Sequence, residues 1–337
     1  MKKQYTTIND VAAKAGVSKT TVSRYLNGHY ERMSDSTREK ISRVISSTGY
    51  RVNSQAKALT QHHSHLIGLV VADIENIFSS ILFKGADQVL EVAGYSIMLM
   101  NSNNSLALER KQLERLINLR IDGLILQPVS QNTSDYDFLE DAGIQPIIVD
   151  RRLTPQKWPG VFTDNYTYSK MLSDYVARQG YQQVVVLTED VHANSARQER
   201  YQGVIDSGKE NGLTVQLVEV PAEVTSSKLY EKLALVNGCL TSHTVIYALK
   251  GTLLTRLMNT LIEYSIRVPE QVGIVAFDDW DWAKLMSPQI TTIQQDPKLM
   301  GKTAAELLLD QLNGNVIPAT TMIDSSFMVR HSLKSGK

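Results

Sequence analysis

Residues 18–28 read SKTTVSRYLNG. Placed on one helix, Lys19, Thr20 and Arg24 fall on its outer face. An arginine there pairs with guanine edges, and a lysine reaches guanine or phosphate. Ser18, Thr21 and Ser23 add hydroxyls suited to phosphate oxygens; Thr7 and Asn27 flank them and complete this candidate set. A second group of polar residues stands where short apolar runs end: residues 73–76, 101–103, Gln127, Asp150 with Arg151, Asp164 with Asn165, Glu189 with Asp190, Lys250, and Asp278 with Asp279. Arg200 lies in the helix after one such end. In open parallel sheets, ligands sit beyond the carboxyl ends of the strands. Carboxylates and arginines gathered there suit vicinal hydroxyls, because each makes two directed bonds. Asp and Asn at such places also cap helices.

Local signals define the elements that must carry the first set. Thr7 is placed to cap a helix, with Asp10 at its third position as in a capping box. Ile8, Val11, Ala12 and Ala15 then form a narrow apolar stripe, and Gly16 ends the helix. Ser18 caps a second helix with Val22, Tyr25 and Leu26 facing inward; a third starts at Ser34, carries Ile41, Val44 and Ile45, and stops at Gly49. Two short helices joined by a glycine turn match helix-turn-helix geometry. Residues 1–60 hold eleven Lys or Arg against Asp10, Glu31, Asp35 and Glu39, a formal charge of +7 in a chain whose total is zero. A basic head on an acidic remainder points to a polyanion for the head alone. The alternative, a plain solvated helix face, accounts for the polarity but not for the turn, the third helix and the charge together. Residues 53–64 read as a linker without an apolar period. His62, His63 and His65 lack a carboxylate or thiol to complete a metal set and read as a tether.

Beyond residue 64, apolar runs at 66–72, 96–100, 123–126, 146–149, 184–187, 214–220, 244–249 and 272–277 read as strands. Amphipathic stretches near 78–93, 106–118, 166–179, 198–211, 228–237, 251–264 and 297–312 read as helices. This alternation is that of a parallel α/β protein. There are too many strands for one small sheet, and RLTPQKWPGVFTDN breaks the rhythm after Asp150, so two similar lobes are expected. Apolar residues at 42% and charged residues at 21% suit an ordinary soluble protein. A single cysteine, Cys239, and no apolar leader point to the cytoplasm. No run is long enough to cross a bilayer. GxxxxGK, GxGxxG after a strand, HExxH and GxSxG are all absent, so neither an enzyme nor a cofactor is expected. An exported sugar-binding protein would need a leader and no basic head.

TINDVAAKAGVSKTTVSRYLNG and its continuation MSDSTREKISRVISSTGYRVNSQAKAL resemble the amino-terminal signature of the LacI/GalR transcription regulators, and the resemblance extends over essentially the whole chain. It implies an α/β, periplasmic-binding-protein-like two-lobed body of parallel sheets behind a small all-α helix-turn-helix head. The head would span 1–60, with a hinge helix at 53–60 that sets Asn53, Ala56 and Leu59 on DNA. Leucine wedges in the minor groove kink the duplex. The body would span 61–337, one lobe at about 65–161 plus 292–322 and the other at about 162–291 plus 323–333. The resemblance further implies a homodimer that reads the two halves of a pseudo-palindromic double-stranded operator and is released by a small effector.

Asp73, Asp150, Arg200 and Asp278 match family positions that often contact sugars. Asn76, Phe78, Asn101, Arg151, Lys250 and Trp280 complete the candidate effector set, Trp280 as an apolar plate or alternatively as core. After TVIYA, family members commonly carry Asn-Asp, whereas this chain has Leu249 and Lys250. A cation there, beside Arg200 and Arg151, favours an anionic sugar acid. A keto-deoxy acid such as 2-keto-3-deoxygluconate is the leading candidate, since NGHYERMS and FDDWDWAKL are weakly similar to regulators of that acid. In the alternative, Lys250 pairs with Asp278 or Glu189 and a neutral sugar binds.

Overall fold

The computed structural model describes residues 6–31, 33–50 and 63–334; Asn53, Ala56 and Leu59 lie outside the described residues. The chain divides into two compact units, Met1–Ser64 and His65–Lys337.

In the first unit, α1 (Ile8–Ala15), α2 (Lys19–Leu26) and α3 (Asp35–Thr48) form the head. Thr7 and Asp10 close a capping box on α1, and Gly16 ends it at φ 65°, a left-handed position that glycine occupies without Cβ strain. Ser18 caps α2 by accepting from the Thr21 amide. Val11, Ala12, Ala15, Val22 and Ile41 are buried together, with Ile8, Tyr25, Leu26, Val44 and Ile45 packed around them.

The second unit runs β1 (Leu66–Val71), α4 (Ile77–Val92), β2 (Ser96–Asn101), α5 (Leu106–Asn118), β3 (Gly123–Leu126), a 3-10 turn (Thr133–Tyr136), α6 (Asp137–Asp141), β4 (Ile147–Val149) and β5 (Gly160–Thr163). It continues through α7 (Asn165–Arg178), β6 (Gln183–Thr188), α8 (Ser195–Asn211), β7 (Thr214–Glu219), α9 (Ser226–Leu235), β8 (Thr244–Ala248), α10 (Gly251–Glu263) and β9 (Gly273–Phe277). β10 (Thr291–Gln294), α11 (Pro297–Leu312), β11 (Thr320–Ile323) and β12 (Ser326–Met328) complete it. Two six-stranded sheets result, ordered β11-β5-β4-β3-β1-β2 and β12-β10-β9-β8-β6-β7. Their neighbouring strands are parallel except β12 against β10.

Helices cover both faces of each sheet, which is why strands such as LIGLVV are apolar on both sides. Ile67, Leu69 and Val71 pack toward α4 and α11; Val70 faces Leu113 and Leu116 of α5. α4 and α11 touch backbone to backbone: a Cβ at Gly85 would lie 2.0 Å from the Lys298 carbonyl oxygen, and one at Gly301 2.0 Å from that of Leu82.

Strand pairing moves two expected boundaries. β5 stays in the first sheet through Thr163, and β10 belongs to the second, beside β9, so the chain returns to the first lobe after Gln294 and not at 292. The segments β5, β10, β11 and β12 were not expected as strands. Each has four residues or fewer, too short to show a period.

Candidate functional site

In the head, α2 presents Ser18, Lys19, Thr20, Arg24 and Asn27 to solvent, with Thr21 and Ser23 half-buried. The cap positions these groups: Ser18 Oγ lies 2.9 Å from Thr21 Oγ1 and accepts the Thr21 amide at 3.1 Å. Thr7 Oγ1 donates to Asp10 Oδ2 at 2.7 Å, and the Thr7 amide and hydroxyl together hold the Asp10 carboxyl below its usual range. Thr7 and Ser18 are therefore first of all helix caps. The outer face of α2, basic and rich in hydroxyls, has the size and pattern of a recognition helix.

In the body, equivalent strand ends of the two sheets converge. Asp150 follows β4 at φ 64°, and its carboxylate accepts from Gln127 Nε2 at 2.7 Å. Asp278 follows β9 at φ 79° and accepts from Gln295 Nε2 at 2.6 Å and the Gly251 amide at 3.1 Å. Lys250, at the end of β8, lies between lobes: its Nζ is 3.3 Å from Asp73 Oδ2 of the first and 3.3 Å from Glu189 Oε1 of the second. Glu189 also pairs with Arg197, and Arg197 Nη1 donates to the Asp190 carbonyl at 3.1 Å. Arg200 donates to Asn165 Oδ1 at 2.8 Å and the Leu249 carbonyl at 2.7 Å, with its guanidinium 3.7 Å above the Phe277 ring. Arg151 donates to Asn104 Oδ1 at 3.0 Å and the Pro128 carbonyl at 3.3 Å, its Nε 3.9 Å from Asp150.

These cations are buried and crowd one another. Burial, then the charges of Arg151 and Arg200, pull Arg197 down to about 9. Lys250 is lowered by burial despite Asp73, with Arg197 and Arg151 adding to the depression. Arg151 is lowered by burial against the opposing field of Asp150. Further bonds join the lobes: Arg152 N to Ser195 Oγ at 2.6 Å, Arg152 Nε to Glu199 at 3.0 Å, and Gln131 Nε2 to the His192 carbonyl at 2.8 Å.

The structure thus brings together Asp73, Asp150, Arg151, Arg200, Lys250 and Asp278. Four other candidates have different surroundings. Asn76 caps α4 by accepting from Phe78 N at 3.2 Å, and Asn101 orders its own turn by accepting from Ile74 N at 3.2 Å. Phe78 is 2% exposed and Trp280 6%, and both pack in the first lobe's core. Trp280 comes from the second lobe's β9 loop, so it is an inter-lobe core residue and not an open plate; its Nε1 is buried against Gly251 without a hydrogen-bond partner. A cavity of about 540 Å³ lies beside it, lined by Asp279, Trp282, Asp296 and Asp324 among others.

The sequence alone does not single out Arg197, one turn before Arg200 on the same face of α8, or Gln295, which follows the short strand β10. The i, i+3 spacing hints at the former; nothing local signals the latter.

A helix-turn-helix head with a two-lobed, polar-clefted body is the architecture of a ligand-controlled DNA-binding regulator. Residues 7–53 match the model for bacterial regulatory proteins of the lacI family, and residues 173–333 that for a periplasmic binding protein-like domain. The chain is 36% identical over 333 residues to the HTH-type transcriptional regulator KdgR of Bacillus subtilis, covering 98% of each. It is 30% identical to the regulator PtxS of Pseudomonas plecoglossicida, over 97% of this chain and 95% of that one. The lac repressor dimer bound to operator and the anti-inducer ONPF shares the fold, with a TM-score of 0.80 and 21% identity over 98% of this chain and all of that one. The chain belongs to the LacI family and is a sequence-specific DNA-binding transcriptional regulator. No helix among the described residues is long and apolar enough to cross a membrane.

Proposed function

We propose that this regulator is a cytoplasmic homodimeric repressor of sugar-acid catabolism genes, that it binds rather than turns over its ligand, and that a sugar acid in the inter-lobe cleft releases it from a pseudo-palindromic operator. On this reading Lys19, Thr20, Arg24 and Asn27, with the hydroxyls of Ser18, Thr21 and Ser23, contact DNA. Asp150, Arg151, Arg200, Lys250 and Asp278 contact the effector, Asp150 and Asp278 accepting from sugar hydroxyls, while Asp73 lines the cleft as the partner of Lys250. The observation that carries the anionic effector is the gathering of three buried arginines, Arg151, Arg197 and Arg200, with Lys250 around one cleft, where the charge of Arg151 helps to lower both Arg197 and Lys250. A carboxylate placed among three buried, like-charged groups relieves their repulsion and gains charge-assisted bonds. Release then follows if the effector binds one lobe arrangement better than the other, since only differential affinity shifts an equilibrium.

A neutral sugar is the second reading, favoured by one observation: Lys250 already has Asp73 and Glu189 as partners. Thermal-shift and operator-binding measurements on the wild type and Lys250→Ala, against neutral sugars, phosphosugars and sugar acids including 2-keto-3-deoxygluconate, separate the two. Stabilisation and operator release by a sugar acid, both lost in the variant, support the first reading. Stabilisation by a neutral sugar that survives the substitution overturns it.

A further inference from the structure

Behind the cleft, three consecutive residues of one loop are held by three different buried side chains. The Pro128 carbonyl accepts from Arg151 at 3.3 Å, the Val129 amide donates to Glu109 Oε1 at 3.0 Å, and the Ser130 amide donates to Tyr136 Oη at 3.0 Å. Tyr136 Oη in turn donates to Glu109 Oε2 at 2.6 Å. The next residue, Gln131, makes the bond to the His192 carbonyl of the second lobe. Glu109 stands on the buried stripe of α5 with Leu113 and Leu116, and none of it is exposed. A fully buried carboxyl on an apolar stripe is costly and needs a reason.

The groups facing it are few. Tyr136 and Asp135 come from the 3-10 turn, Val129 from the loop, and Arg151 from the end of β4 brings the positive charge. We propose that Glu109 is a positioning residue for Arg151: it fixes the loop that holds the guanidinium, and it takes up a proton when an anionic effector neutralises that guanidinium. The inference rests on the reading of the cleft as an anion site.

Burial pushes the Glu109 carboxyl up to about 7, while its bonds to Tyr136 and Val129 and the charge of Arg151 pull it down. An effector carboxylate on Arg151 cancels that last field and raises the carboxyl further. Protonation in the complex then exceeds that in the free protein at and above neutrality. Linkage fixes the sign: affinity is level below pH 7 and weakens by up to about tenfold per pH unit above it, until the carboxyl ionises in the complex as well.

The test is calorimetric titration of the full chain with 2-keto-3-deoxygluconate from about pH 6 to about pH 9, in buffers of different ionisation enthalpy. The wild type is expected to take up a fraction of a proton and to show the rising Kd; Glu109→Gln is expected to lose both. A flat wild-type profile overturns the proposal. So does a slope kept in Glu109→Gln, because the proton then resides elsewhere while the anion site stands. Failure of the wild type to bind the acid at any pH removes the anion-site reading, and this inference with it. Should Glu109→Gln not fold, Tyr136→Phe decides: loss of a donor to the carboxylate is expected to move the onset of the slope to higher pH, and an unchanged onset overturns the assignment.

Discussion

Asp150 and Asp278 are structural counterparts in the two lobes. Each follows the fourth strand of its sheet, takes a positive φ, and donates its amide to the neighbouring strand, to Val161 and Ile293 respectively. Each carboxylate is oriented by a glutamine amide, Gln127 in one lobe and Gln295 in the other. Left-handed backbone in a residue other than glycine is strained, and aspartate is among the few that tolerate it. The fold therefore stores strain at the two strand ends that place these carboxylates at the cleft.

Asp278→Ala should remove the acceptor for the Gly251 amide and Gln295 and add left-handed strain. A loss of about 2–4 kcal/mol is expected by denaturant unfolding. Asp278→Asn keeps one of the two acceptor oxygens and the tolerance of positive φ, and should lose about 1–2 kcal/mol. Equal losses would mean that the carboxylate's hydrogen bonds contribute nothing to the turn.

On α2, Arg24 and Lys19 should behave differently in operator titrations. Arg24→Ala is expected to cost about 1–3 kcal/mol and to relax preference at one base pair. Lys19→Ala should weaken all sequences alike and lower the slope of log K against log salt by about one. A uniform loss for Arg24→Ala would make it a phosphate contact.

Much of this was legible because its signals are local. Thr7, Asp10, Gly16 and Ser18 fix the head through caps and a turn, and apolar runs ending in Asp150 or Asp278 mark the cleft whatever the sheets' order. What was not legible depends on distant partners. GVFT and TTIQ become β5 and β10 only through pairing, and Trp280 belongs to the other lobe's core. Glu109 carried a readable clue, a carboxylate at a buried position of the α5 stripe, but its purpose needed the loop at 128–130. Lys250 was read as a cleft cation; its partner Asp73 lies 177 positions away.

Glu109 should also shape stability without any ligand. Its folded carboxyl lies near 7 against an ordinary 4.5, so between these values the folded state holds more protons than the unfolded one. Stability must then fall as pH rises through that window, by at most about 3 kcal/mol. In urea unfolding at several pH values, Glu109→Gln should gain on the wild type from acid to neutral pH. A constant difference would show that the carboxyl is not penalised by burial.

Asp73 and an effector carboxylate compete for the same cation. Lys250 bridges Asp73 and Glu189, so an incoming acid must displace or share one of these partners. Glu189 keeps Arg197 in any case, which makes Asp73 the weaker hold and the one across the lobes. Asp73→Asn preserves the acceptor for the Glu75 amide, now at 3.0 Å, and so the local turn, while removing the competing charge. Sugar-acid affinity should then rise by about three- to tenfold, the equivalent of one surface-to-buried ion pair. A neutral sugar held by the Asp73 carboxylate should instead bind more weakly, because a charged acceptor is replaced by a neutral one. The sign of the change in Kd thus reports whether Lys250 serves the effector or only the closure of the two lobes.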